Sequence, residues 1–223
     1  SRGRRNMIDT VLQRTNMVES QVRPSDVTDR RVIRAMQAVP REQFLADDLK
    51  PVAYMDGDLR MAGGRSLLAP RTFARLVQLA NLADNAAVLD VGAGVGYSAA
   101  VLTRMGARVV AVESDPALAE AMKRNFAAVG VTGVVVGQGD LKAGAADQGP
   151  YDAIILEGSV EDVPAALLDQ LKDGGRLVAI VASGATARAV AWQRIGAGFD
   201  RVAAFDASAG PLPGFQLPAA FVF

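Results

Sequence analysis

The stretch Val88-Leu89-Asp90-Val91-Gly92-Ala93-Gly94-Val95-Gly96-Tyr97 constrains this chain more than any other. An apolar run enters three glycines at alternate positions, and a helical pattern from Ser98 to Met105 follows. Glycine accepts positive φ and has no Cβ, so such a loop turns sharply and lets another group approach its backbone. A strand that leads through such a loop into a helix belongs to a parallel sheet, because parallel strands need a crossover between them.

The chain around this unit keeps the same rhythm. Arg108 to Glu113, Val131 to Gly137, Tyr151 to Leu156 and Arg176 to Ala182 read as further strands. Pro116 to Val129 and Val163 to Leu171 read as helices, with Pro116 suited to a first turn. These strands lack strict apolar alternation, so both faces of their sheet are covered. From Thr186 the helix–strand alternation stops, and the apolar runs Arg201 to Phe205 and Pro218 to Phe223 read as antiparallel closing strands. The expected fold is α/β: a Rossmann-like, doubly wound, mostly parallel seven-stranded sheet with an N-terminal helical extension.

In that extension Ile8, Val11, Leu12, Thr15, Val18 and Val22 share one helical face, with a stop at Arg23-Pro24. Thr28 or Asp29 caps a second helix bearing Val32, Ile33, Met36 and Val39, ended by Pro40. A short helical piece is expected from Phe44 to Leu49, a loop from Ala62 to Pro70, and a helix from Arg71 to Leu82. The expected division is 1–70 as extension and substrate-side loop and 71–223 as the Rossmann-like domain, the two forming one compact unit.

Composition narrows the chemistry. There is no histidine and no cysteine, which excludes a Ser-His-Asp triad, thiolate nucleophiles, disulfides and the usual zinc ligands. No metal site is expected. Lys plus Arg and Asp plus Glu both number 24, so no basic excess points to nucleic acid. Arg2, Arg4 and Arg5 ahead of Met7 read as a tail without function. No long apolar run and no charged-then-apolar leader is seen, so neither membrane nor export is expected, and the cytoplasm is the expected compartment.

The glycine loop serves two ligand classes. A dinucleotide site wants G-x-G-x-x-G, because its pyrophosphate sits on the helix N-terminus. Here the spacing is Gly92-x-Gly94-x-Gly96, and Tyr97 stands where that pattern needs glycine. Asp90 before the loop suits a cationic ligand rather than a polyanion. Glu113, ending the second strand, is suited to accept ribose hydroxyls. Asp140 follows the third strand and is placed to accept from an adenine amino group, with Leu141 covering the ring. Together these favour S-adenosylmethionine over a nicotinamide dinucleotide. The plainer reading of Glu113 and Asp140 is that they cap the helices after them.

At these residues the chain resembles the protein-L-isoaspartate O-methyltransferase family, over roughly residues 20 to 183. Val39-Pro40-Arg41-Glu42-Gln43-Phe44 resembles its V-P-R-x-x-F segment, and Tyr54-Met55-Asp56 with Leu59 its A-Y-x-D-x-x-L segment. Val88 to Leu102 resembles its cofactor loop, Gly139-Asp140 its G-D-G, and Val163-Pro164 with Leu168 to Leu177 its V-P-x-x-L-x-x-Q-L-x-x-G-G-x-L run. The resemblance implies methylation of the carboxylate of isoaspartyl residues in damaged proteins. It implies cofactor contacts from Ser66, Leu67, Asp90, Gly92, Ala93, Gly94, Gly96, Tyr97, Glu113, Ser114, Asp140, Leu141 and Glu157, with Ser66 and Glu157 also placed beside the chemistry.

The chain departs from this pattern in places. The family's G-Q-T-I-S-x-P reads Gly64-Arg65-Ser66-Leu67-Leu68-Ala69-Pro70, so a serine beside the transferred methyl becomes Leu68. After the fourth strand stands Glu157-Gly158-Ser159, whose carboxylate would repel an isoaspartyl acceptor. The end of the fifth strand reads Ile180-Val181-Ala182 against the family's P-V-G, and the tail after 183 matches poorly. The alternatives are the same scaffold with a small-molecule or other protein acceptor, or a module that binds S-adenosylmethionine without catalysis. Ser66 also reads as an ordinary loop hydroxyl, and Glu157 as a partner of Arg65 or Arg71. Trp192 reads as core, Tyr97 as packing over the loop, and the Met7 to Val22 helix as a packing or dimer element. Monomer and homodimer both remain open.

Overall fold

The computed structural model describes residues 2–220. The side chain of Ile8, and residues 221–223 of the expected last strand, lie outside the described residues.

Helix α1, Arg2–Met17, continues through a wide π turn, Val18–Val22, into a 3-10 turn, Arg23–Ser25. Pro24 therefore does not stop it: Pro24 sits in the first turn of the 3-10 piece, where a missing N–H is tolerated. The chain breaks at Asp26, which is left-handed with φ 63°. Helix α2, Arg30–Ala38, is capped by Asp29, whose side chain accepts from Arg31 N at 2.9 Å. The helix expected from Phe44 to Leu49 is absent. Two 3-10 turns, Arg41–Phe44 and Lys50–Val52, flank that stretch instead. Strands β1, Leu59–Arg60, and β2, Ser66–Leu67, form a small antiparallel hairpin before helix α3, Pro70–Ala80.

The main sheet is built from β3 (Ala87–Val91), β4 (Arg108–Glu113), β5 (Val135–Gln138), β6 (Tyr151–Val160), β7 (Leu171–Ser183), β8 (Thr186–Ile195) and β9 (Gly198–Asp206). Their order is β5-β4-β3-β6-β7-β8-β9. Every pairing from β5 to β7 is parallel, and β8 and β9 close the sheet antiparallel. Helices α4 (Tyr97–Arg104), α5 (Pro116–Val129) and the short α6 (Ala165–Leu168) lie in the crossovers.

Three expectations shift. The third strand starts at Val135 rather than Val131, because Gly133 at φ +83° breaks the extended run. The helix expected from Val163 to Leu171 is confined to Ala165–Leu168, since Leu171 already pairs with Tyr151 as the start of β7. The closing strands are β8 and β9, and residues 218–220 form none. The register of β8 was hidden by its small residues: Ala189, Val190 and Ala191 are all buried and give no period-two signal.

Two apolar clusters cover the sheet's faces. One joins Met17, Val22, Met36 and Phe44 of the extension to Val88, Ile155, Val178 and Ile180 of the sheet. Gln78 of α3 ties the same parts together, accepting from Thr28 N and Asp29 N and donating to Asp26 O. The other cluster holds Leu89, Val91, Leu156, Leu167 and Leu177, together with Leu212 and Phe215 from the stretch after β9. That stretch runs back to the carboxyl edge of the sheet.

Candidate functional site

The carboxyl ends of β3, β4 and β6 meet where an open α/β sheet offers a crevice. The glycine loop leaves β3 with Gly92, Gly94 and Gly96 at φ +75°, +59° and +95°. The three have different uses. A Cβ on Gly96 would lie 2.7 Å from Met122 and 2.8 Å from Phe126, so this glycine admits α5 rather than a ligand. A Cβ on Gly94 would meet Met61 Cε at 3.7 Å and Gly92 O at 3.9 Å, both ordinary contacts, and the Gly94 N–H donates to Glu113 Oε2 at 2.8 Å. The close-approach position is Gly92, where a Cβ would stand 2.6 Å from Leu212 Cδ2 and 3.2 Å from Arg65 Nη2.

Glu113 is fully buried at the end of β4. Its Oε1 accepts from Arg65 Nη1 at 2.5 Å, Ser114 N at 2.9 Å and Asp115 N at 3.2 Å. Its Oε2 accepts from Gly94 N at 2.8 Å and Arg65 Nη2 at 3.1 Å. Those contacts use the roughly four lone-pair positions of a carboxylate, leaving none for ribose hydroxyls. Arg65 is buried as well, and Nη2 also donates to Gly92 O at 3.1 Å.

Glu157 lies in an irregular part of β6. Pairing with β7 passes from Ile155↔Val178 to Ser159↔Ile180, so Leu156, Glu157 and Gly158 face one β7 residue. Such bulges re-aim side chains beside sites. The Glu157 carboxyl lies beside Asp90 of β3, and each carboxyl perturbs the other. Burial pushes Glu157 well above the ordinary glutamate range, helped by the neighbouring Asp90 charge. Burial also raises Asp90, although Ser98 Oγ donates to its Oδ2 at 2.5 Å. Among the described residues, Asp90 Oδ1 and Glu157 Oε1 meet no donor, an arrangement that favours a protonated carboxyl in the pair. Glu157 therefore pairs with neither Arg65 nor Arg71: Arg65 holds Glu113, and Arg71 holds Asp56.

Of the expected site residues, Ser66, Leu67, Gly92, Ala93, Gly94 and Glu157 line one cavity, joined by Leu68. Others fall elsewhere. Tyr97 is turned into the core, with its ring 5.8 Å from those of Phe44 and Phe73 and 4.8 Å from the Arg41 guanidinium. Asp140 is exposed and caps the turn Leu141–Ala143, accepting from Lys142 N at 3.0 Å. Leu141 is buried in the cluster behind the sheet. Ser114 contributes its backbone N–H to Glu113. Trp192 packs against that second cluster, with Arg201 over its ring.

The residues that sequence reasoning missed are those that fill the site. Leu212 N donates to Ser159 O and Ser159 N to Gly210 O, both at 2.9 Å, and Glu161 N donates to Phe215 O at 3.2 Å. The stretch 209–217 thus lies along the end of β6. A Cβ on Gly158 would meet Leu212 Cγ at 2.8 Å, and one on Gly210 would meet Ser66 Oγ at 2.5 Å. The cavity that remains measures about 10 Å³, against the several hundred Å³ typical of a small-molecule site. The donor chemistry suits S-adenosylmethionine, and Arg65 and Leu212 occupy the space over Gly92.

The family model described as Protein-L-isoaspartate(D-aspartate) O-methyltransferase matches residues 12–200. A protein-L-isoaspartate O-methyltransferase of Methylorubrum extorquens is 43% identical over 170 residues, 76% of this chain and 74% of that protein. One from Methanoculleus marisnigri is 39% identical over 169 residues, covering 76% and 77%. A solved protein-L-isoaspartate O-methyltransferase superposes with TM-score 0.80 at 26% identity, covering 90% of this chain and 66% of that one. A Plasmodium falciparum structure in complex with S-adenosyl-L-homocysteine, described as a protein of the same kind, gives TM-score 0.75 at 20% identity, covering 88% and 96%.

Proposed function

Because the chain belongs to the protein-L-isoaspartate(D-aspartate) O-methyltransferase family, we propose that it transfers a methyl group from S-adenosylmethionine to the free carboxylate of isoaspartyl residues. The observation that carries this reading is the glycine loop at the end of β3 with Glu113 beneath it, Gly94 N lying 2.8 Å from Glu113 Oε2. A carboxylate acceptor is already nucleophilic, so alignment rather than a general base supplies the rate. That suits a chain without histidine or cysteine. Burial lessens the repulsion that Glu157 offers an anionic acceptor. Its buried carboxyl favours the protonated form, and what charge the pair keeps is shared with Asp90.

Residues 1–70 form the acceptor side in this reading and 71–223 the cofactor side, working as one unit. The acceptor is a protein or peptide, and nucleic acid has no part. Among the described residues no helix is long and apolar enough to cross a membrane, and the cytoplasm is the proposed compartment.

The test is methyl transfer from labelled S-adenosylmethionine to an isoaspartyl peptide, beside its aspartyl twin. Transfer to the isoaspartyl peptide alone is expected. Cofactor binding without transfer would overturn the acceptor and favour the second reading, a different acceptor on the same scaffold. Leu68 is the observation behind that reading, since it lines the cavity with an apolar side chain. Leu68→Ser with Glu157→Gln would then create isoaspartyl activity.

A further inference from the structure

We propose that Arg65 and the 209–217 stretch are an internal occupant of the cofactor site, and that S-adenosylmethionine binds only after both are displaced. The inference rests on the reading of the site as one for that cofactor. Three observations carry it, and each concerns a group that is present.

The first is the state of Glu113. A guanidinium in bidentate contact at 2.5 and 3.1 Å is the strongest neutraliser a carboxylate meets in a protein. With three backbone N–H groups also directed at it, Glu113 accepts nothing further. Any ligand hydroxyl that uses this carboxylate has to replace Arg65.

The second is the surface of the loop. The missing Cβ of Gly92 creates a close approach on the crevice side of the loop, and Leu212 and Arg65 use that space. Leu212 is 1% exposed, so it is seated rather than resting on the rim.

The third is that the stretch is built in. It is paired to β6 through Ser159 and Glu161, and Gln216 Nε2 donates to Leu212 O at 2.8 Å. Gly158 and Gly210 are the residues whose missing side chains let it lie against β6 and Ser66. Anchoring at several points, with side-chain space cleared at both contacts, distinguishes a seated segment from a passing loop.

Opening needs no break in the main sheet. Arg65 lies in the hairpin between β1 and β2, and the stretch follows β9, so neither belongs to a strand of the main sheet. Arg65→Gln keeps a hydrogen-bond donor near Glu113 and removes the charge. Leu212→Ala removes the wedge while leaving the backbone pairing with Ser159.

The experiment is calorimetric titration of the full chain with S-adenosylhomocysteine, comparing wild type, each single variant and the double variant, all checked for folding by circular dichroism. Each single variant is expected to bind at least about tenfold tighter than wild type, and the double variant tighter still. Equal affinities across the series would overturn the proposal, and so would an absence of binding by a folded double variant. A second measurement needs no variant. Saturating S-adenosylhomocysteine should speed hydrogen exchange at the Leu212 and Ser159 amides of the wild type, and unchanged protection in the bound state would overturn displacement. Tighter binding by the variants without methyl transfer to isoaspartyl peptides would sustain the internal occupant and defeat the proposed acceptor, so the two readings fail separately.

Discussion

Two carboxylate sites lie on the same edge of the same sheet, and they are stabilised in opposite ways. At the end of β4, Glu113 is buried against a guanidinium and three backbone donors. At the ends of β3 and β6, Asp90 and Glu157 are buried against each other, with Ser98 as the donor to Asp90 Oδ2. The first site holds a compensated ion pair, and in the second burial favours the protonated form. The difference teaches that burial alone does not set the state of a carboxyl group; what decides is whether the backbone and a cation have been aimed at it.

The comparison breaks most severely at Glu113. Glu113→Ala leaves the Arg65 guanidinium buried without a countercharge and frees several backbone donors, and should destabilise the fold by about 3–5 kcal/mol. Urea unfolding checks this. A loss under about 1 kcal/mol would mean that Arg65 reaches water and that the two sites differ less than stated. Next is Gly92→Ala, which places a methyl 2.6 Å from Leu212 Cδ2 at φ +75°. The expected loss is about 1–3 kcal/mol, and a neutral result would show that Leu212 yields readily.

Glu157→Gln sharpens the second half of the comparison. The folded-state pKa of Glu157 is raised above its unfolded value, so the native state binds the extra proton. Its contribution is fully present below the unfolded pKa and declines as pH rises through the window up to the folded one. The wild type should therefore lose stability, relative to Glu157→Gln, as pH climbs from acid towards alkaline. Near the acid end the variant should lie within about 1 kcal/mol of wild type, the scale of one hydrogen bond. Melting curves over a pH series read this directly, and parallel slopes for the two proteins would place the proton elsewhere. The smallest effect is expected at Arg71 and Asp56, an ion pair whose side chains are 43% and 47% exposed. Arg71→Ala should cost under about 1 kcal/mol, less at high salt. A larger loss would undo the contrast between buried and surface pairs.

How far the sequence led can be seen residue by residue. The strand–glycine–helix unit, the parallel core and the place of Glu113 at a strand end were legible because periodicity and spacing encode them directly. Asp140 was legible only as two alternatives, because a carboxylate after a strand caps a turn as readily as it meets a ligand, and its Oδ1 accepts from Lys142 N. Tyr97 was assigned by position beside the loop, while its side chain follows the opposite face of α4 into Phe44 and Phe73. Arg65 was visible as a charged residue where the family has glutamine, but its partner is 48 positions away and no local rule selects it. The stretch after β9 was the least legible. Leu212 and Phe215 are isolated apolar residues among proline and glycine, and only the folded sheet gives them a cluster to join.

The tether that carries Leu212 has a consequence in mass action. An occupant joined to the chain competes at a fixed effective concentration, so neither dilution nor dialysis removes it. The cofactor then meets a protein of which only the open fraction is competent, and its apparent affinity falls by that fraction; an open population of about one in a hundred would weaken it about a hundredfold. Whatever draws the 209–217 stretch away would set the protein's response to cofactor concentration without touching the residues that perform the transfer.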